Sequence, residues 1–212
     1  MNNLSYFSSA RQSVLRLVDC KHKIIRSLDV GCGTGAFSEL LKHEHKCETW
    51  GIEPDLRGHK ESALSLDKAL LGTWDSQLIN LPHAYFSAVF FNDVLEHMAD
   101  PAKCLVQARA LLDKQGRVYA SIPNFIFADN IATLLWSRDW KYQDSGILDK
   151  THLRFFTRLS IERLFREAGF RVNALIPLSQ PESWKWRLLS RLTFKCLDDF
   201  RVYQYGVAAS PA

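Results

Sequence analysis

The sequence predicts an α/β protein built on a doubly wound, largely parallel sheet, and three observations carry that expectation. A short apolar run at Ile24, Ile25, Leu28 and Val30 reads as a buried strand; glycines follow at 31, 33 and 35, and then Phe37, Leu40 and Leu41 recur at helical spacing. Strand, glycine turn and helix in that order place a ligand beyond the carboxyl end of the strand. The segment from Phe86 to Phe91 is an almost continuous apolar run, as in central parallel strands covered on both faces. Strand-like and helix-like stretches alternate along the rest of the chain, which gives a layered α/β sandwich.

The elements follow in order. Tyr6 to Cys20 reads as an amphipathic helix with Val14, Leu15, Leu17 and Val18 on its apolar side; residues 1–23 thus form a helix that packs on the sheet or covers a cleft with Tyr6, Phe7 or Arg11. The helix after the glycines runs to about Lys42. Thr49 to Ile52 is strand two and ends at Glu53 and Pro54; Gly58 to Leu66 is helical; Ala69 to Leu71 is strand three, with Trp74 and Asp75 just beyond it. After strand four, Pro101 opens a helix as a first-turn proline, Asp113 to Gly116 is a turn, and Arg117 to Ile122 is strand five. The stretch 125–157 is too long for an ordinary connection, and such stretches are usually functional. Ser160 is the expected N-cap of a helix through Ile161, Leu164, Phe165 and Ala168 that Gly169 ends. Phe170 to Ile176 is strand six, and Val202 to Ala208 is the last strand.

Bulk properties bound the function. A chain of 212 residues with 47% hydrophobic and 24% charged residues fits one soluble domain, residues 1–212. A net charge of +4 is too mild to suggest a nucleic-acid partner. The five cysteines are odd in number, scattered and without a C-x-x-C pair, which reads as reduced thiols in a cytoplasmic protein. No signal-peptide core and no membrane-length apolar run is legible. The basic, tryptophan-bearing stretch Trp184 to Lys195 allows contact with an anionic membrane surface, although packing against the last strand is the simpler reading. No metal site is expected: His43, His45 and Cys47 have suggestive spacing but no second ligand cluster.

Which ligand the glycine turn takes is an electrostatic question. Gly31, Gly33 and Ala36 fit a loose dinucleotide pattern, yet Asp29 stands two residues before the first glycine. A carboxylate there repels a pyrophosphate in a poorly screened cleft and favours a ligand that carries positive charge. S-adenosylmethionine, with a sulfonium, an ammonium and no phosphate, suits it better than NAD. Glu53, about 20 residues on and at the end of the next strand, is placed to take both ribose hydroxyls of either cofactor.

With these residues in view, the chain resembles the class I S-adenosylmethionine-dependent methyltransferases over roughly Ile24 to Phe170. Leu28-Asp29-Val30-Gly31-Cys32-Gly33-Thr34-Gly35 resembles that family's first motif, Glu53 its ribose acid, and Asn92-Asp93-Val94-Leu95-Glu96-His97 with Asp100-Pro101 its fourth motif. Within a bacterial, ubiquinone-methyltransferase-like small-molecule group, Asp149 to Thr157 with the following helix resembles a subgroup often linked to surface-glycan synthesis. The resemblance implies a Rossmann-like, seven-stranded, mostly parallel sheet with an antiparallel last strand.

Methyl transfer from a sulfonium releases a neutral thioether, so the protein must align three atoms and take a proton when the acceptor is a hydroxyl. Asp29 is expected at the cofactor's charged amino-acid end. The loop amides of Cys32, Gly33, Thr34 and Gly35 are expected at its carboxylate and ribose, and Asp75 at the adenine. Pro54, Asn92, Asp93 and Val94 are expected along the cofactor path. His97 and His152 are the candidate bases, since histidine titrates near neutrality. Trp140, Tyr142 and Arg154, on the long segment, are candidate contacts to a small-molecule or glycan acceptor. An NAD-dependent oxidoreductase and a non-catalytic cofactor-binding module are the rival readings; the first leaves Asp29 unexplained.

Overall fold

A computed structural model describes residues 13–19, 22–179 and 197–212. The start of the N-terminal helix, with Tyr6, Phe7 and Arg11, and the basic stretch Trp184 to Lys195 lie outside the described residues. Seven strands form one sheet in the order β3-β2-β1-β4-β5-β7-β6. They are β1 (Arg26–Val30), β2 (Glu48–Glu53), β3 (Lys68–Leu71), β4 (Phe86–Asn92), β5 (Leu112–Pro123), β6 (Phe170–Ser179) and β7 (Gln204–Pro211). The first five are parallel; β7 runs antiparallel between β5 and β6. The expected mostly parallel sheet with an antiparallel last strand is therefore present.

Among the described residues, helices α1 (Ala36–His45), α2 (Leu56–Ser62), α3 (Trp74–Gln77), α4 (Pro101–Leu111), α5 (Ala128–Ser137) and α6 (Arg158–Glu167) flank the sheet. All seven residues of β4 are buried, and alternation sorts them between two cores. Val89 and Phe91 join α4 and α6 through Leu105, Ala108, Ile161 and Phe165. Ala88 and Phe90 face Phe37 and Leu41 of α1, with Val14 and Leu17. Phe90 lies edge-on to Phe37 and stacks on Tyr119, each pair with ring centroids 5.0 Å apart. Ser87, polar inside an apolar strand, staples β4 to β1: its Oγ accepts from the amides of Ile25 and Arg26 and donates to the Arg26 carbonyl.

Several expectations are corrected locally. Ile25 is half exposed, because β1 begins only at Arg26. The helix expected from Gly58 starts earlier, at Leu56, because the Asp55 side chain accepts from the Gly58 amide and caps it. Asp113 to Gly116 is a bulge within β5, where these four residues oppose the single residue Ser87 of β4. Ser160 is the third helical residue rather than the cap: Thr157 caps α6, and the two side chains exchange bonds with each other's amides. Asp75, just beyond β3, lies in the short helix α3 that Thr73 caps. The long segment 125–157 contains α5, none of whose residues is buried.

Candidate active site

A cavity of about 790 Å³ opens at the carboxyl ends of β1, β2 and β4 and is walled on its far side by residues 145–152 of the long segment. Val30 and Gly31, where β1 enters the glycine turn, line it. Gly31 has φ +69° and lies under Val94, whose Cγ2 would sit 2.8 Å from any Cβ placed there. Gly35, at φ +84°, opens α1 where a Cβ would meet Leu66 and the Ser62 backbone. These positions exclude side chains, so the sequence places glycine there.

Of the expected cofactor residues, Gly31, Glu53, Pro54, Asp75, Asn92, Asp93 and Val94 line the cavity. Glu53 does more than face the ligand: its two oxygens accept from the amides of Gly33 (2.7 Å) and Asp55 (2.9 Å), tying the glycine turn to the exit of β2. Each carboxylate oxygen keeps a further lone pair. Asn92 is buried with neither amide atom bonded. Asp93 adopts φ +56°; its carboxylate accepts from Ser121 Oγ and Gln204 Nε2. A carboxylate needs donors, so this bond turns the Gln204 amide carbonyl away from it, buried and without a partner.

Asp29, Cys32, Gly33, Thr34 and Gly35 do not line the cavity. Asp29 is buried behind the turn and accepts from Ser38 Oγ at 2.9 Å, which fastens α1 to β1. The amides of Cys32, Gly33 and Gly35 donate to the Ile52 carbonyl, the Glu53 carboxylate and the Cys32 carbonyl. Burial, with Asp29 nearby, pushes the Cys32 thiol up to about 12, leaving it an inert packing group.

Trp140, Tyr142 and Arg154 also lie off the cavity. Trp140 packs with Phe125, Phe155 and Tyr142 in an aromatic cluster. Arg154 is exposed and donates to the carbonyls of Ala99 and Leu153. Its role is to hold the long segment against the β4 exit, together with the Leu153 and Arg154 amides, which both donate to the Glu96 carbonyl.

That anchoring brings His97 and His152, 55 positions apart, into one wall of the cavity with ring centroids 4.7 Å apart. Burial lowers the His152 pKa, with the neighbouring His97 acting in the same direction. Glu96, close to both, is buried; burial and the like charge of Asp93 raise its carboxyl pKa well above the ordinary range. Ser145, Gly146, Asp149, Tyr203 and Gln204 complete the far side and were not anticipated. Glu96 had a visible signal, its place in the Asn92-to-His97 stretch; Gln204, inside an apolar strand, had none.

Charge distribution decides what the cavity can hold. Five carboxylic acids line it (Glu53, Asp75, Asp93, Glu96 and Asp149), and among the described residues no lysine or arginine does. A pyrophosphate would find no counter-charge there. The "Methyltransferase domain" family matches residues 5–175, most of the chain. The chain belongs to this family. With its seven-stranded sheet it is a class I S-adenosylmethionine-dependent methyltransferase, as the motifs imply. The methyltransferase is 29% identical over 178 residues to the ubiquinone biosynthesis O-methyltransferase of Cereibacter sphaeroides, covering 79% of this chain and 69% of that one. Its fold is similar to that of a SAM-dependent methyltransferase from Archaeoglobus fulgidus (TM-score 0.71, 18% identity, 96% and 93% of the two chains). It is also similar to a Thermotoga maritima SAM-dependent methyltransferase described as a possible histamine N-methyltransferase (TM-score 0.67, 18% identity, 97% and 88%). Among the described residues, no helix is long and apolar enough to cross a membrane.

Proposed function

We propose that this methyltransferase moves the methyl group of S-adenosylmethionine to a hydroxyl oxygen of a small molecule. The acid-lined cavity without a lysine or arginine in its described wall carries the reading, because it suits a sulfonium and an ammonium. The O-methyltransferase named among its relatives supports an oxygen acceptor. A cavity of about 790 Å³ has the size of a small-molecule site.

In this reading Glu53 accepts from the ribose hydroxyls through its remaining lone pairs, and Asp75 accepts from the adenine amino group. Asn92 offers its unbonded amide to the cofactor, and Asp93 and Val94 line its path. Asp29 contributes through α1 and β1 rather than by contact. The acceptor enters from the side formed by residues 145–152 and Gln204. Its hydroxyl meets the wall of His97 and His152, where its proton leaves. The oxygen then displaces the thioether in line, and the protein's contribution is alignment.

The test is product analysis. The full chain is incubated with S-adenosylmethionine and a panel of phenolic, sugar and aliphatic hydroxyls, with amines and thiols as controls. S-adenosylhomocysteine release and a methoxy carbon in the product are the expected result. Turnover confined to amines or thiols, or nicotinamide oxidation without methyl transfer, refutes it.

A further inference from the structure

The wall that carries His97 and His152 has unfinished bonding. Glu96 is 1% exposed, and neither carboxylate oxygen has a hydrogen-bond partner. A buried carboxylate in that state is costly unless something occupies it. Both histidine rings are oriented by acceptors on one side only. His152 Nδ1 lies 3.0 Å from the Ile147 carbonyl. His97 Nδ1 lies 3.2 Å from the Thr151 carbonyl and 3.1 Å from Thr151 Oγ1, a hydroxyl that donates its proton to Asp149. Only an Nδ1–H satisfies such partners, so the network assigns the lone pair of each neutral ring to Nε2. A ring nitrogen of each histidine and a carboxylate oxygen of Glu96 lie within 4.8 Å of one another. Carbonyl-oriented imidazoles beside a carboxylate are how proteins prepare metal ligands.

We propose that Glu96, His97 and His152 form a binding site for a divalent transition-metal cation of the zinc class, open toward the cavity. Imidazole donors favour such ions over magnesium and calcium, which prefer oxygen. Donors about 2.1 Å from a shared metal stand roughly 3.4 Å apart. Closing from 4.8 Å takes a small adjustment of the exposed His97 ring about its Thr151 contact. No metal was expected from the sequence, because Glu96-His97 and His152 are separated by more than 50 residues and share no spacing motif.

The cation's role in the reaction rests on the O-methyl reading; its binding does not. The acceptor's O–H coordinates at the open position, and its acidified proton passes to solvent. The oxygen lone pair then forms the O–CH₃ bond as the C–S bond breaks, and the electron pair stays on sulfur as a neutral thioether. An Nε2 that holds the cation does not itself take the proton.

The test titrates chelator-stripped full chain with Zn(II) by calorimetry and with Co(II) by visible absorption. One equivalent is expected to bind. His97→Gln, at an exposed and therefore fold-safe position, and Glu96→Gln should each weaken it by about 100-fold or more, whereas the surface variant His43→Ala should not change it. No stoichiometric binding, binding unaffected by His97→Gln and Glu96→Gln, or a thiolate charge-transfer band with Co(II) overturns the proposal. Zn(II) binding with methyl transfer only to amines would sink the O-methyl reading and leave the cation site standing.

Discussion

Glu53→Gln tests the site where structure and ligand share one side chain. In the folded protein the carboxylate accepts from Gly33 N–H at 2.7 Å and Asp55 N–H at 2.9 Å. The amide keeps one acceptor oxygen and turns an NH₂ against the other backbone donor. One hydrogen bond to a charged acceptor is lost and the other loses its charge; at roughly 1.5–3 kcal/mol for such bonds, the net destabilisation is about 2–3 kcal/mol. Ribose recognition suffers the same exchange, so affinity for S-adenosylhomocysteine should fall about 30- to 100-fold, the equivalent of about 2–3 kcal/mol. Urea denaturation reads the first effect and calorimetry the second. A variant within about 0.5 kcal/mol of the parent that also binds within threefold would refute the linkage between the glycine turn and the ribose site.

Other predictions concern the scaffold. Gly35→Ala forces a side chain into the left-handed region at φ +84° and against Leu66 and Ser62, and should destabilise by about 2–5 kcal/mol in denaturant titrations. Phe90→Ala, at the centre of the Phe37–Phe90–Tyr119 packing, should cost about 3–5 kcal/mol by the same measurement. His22 is buried, with Nδ1 2.7 Å from the Tyr119 hydroxyl; burial, then the Arg117 charge, lowers its pKa from 6.5. Its neutral form is favoured by folding, so that stability is intact above 6.5 and declines as pH falls from 6.5 through the lowered folded value. Denaturation midpoints across that window should show the decline, and His22→Gln should flatten it.

The parts of the fold that could be read from sequence are those with a local physical cause. β4 announced itself because a strand buried on both faces must be apolar throughout, and the glycine turn because its backbone admits no Cβ at Gly31 and Gly35. Glu53, Asn92 and Asp93 line the cavity because they stand at or just past strand ends, which border the crevice in this topology. Side-chain direction has no such local cause. Asp29 sits at the strand end but points behind the turn to Ser38. Trp140, Tyr142 and Arg154 share a segment with the cavity residues Ser145 and His152, yet Tyr142 packs on Trp140 and Arg154 donates to the Ala99 carbonyl. Gln204 reaches the cavity only because β7 inserts between β5 and β6, a pairing without local signature. The electrostatic expectation attached to Asp29 survives in a different form, carried by the other acids Glu53, Asp75, Asp93 and Asp149 of the cavity wall.

Binding selectivity at low salt bears most directly on that charge argument. Calorimetric titration of the purified full chain with S-adenosylmethionine and, separately, NADH should give one-to-one binding of the sulfonium nucleoside, weakened by added salt, and no heat from the dinucleotide. Saturable NADH binding with indifference to S-adenosylmethionine would contradict it.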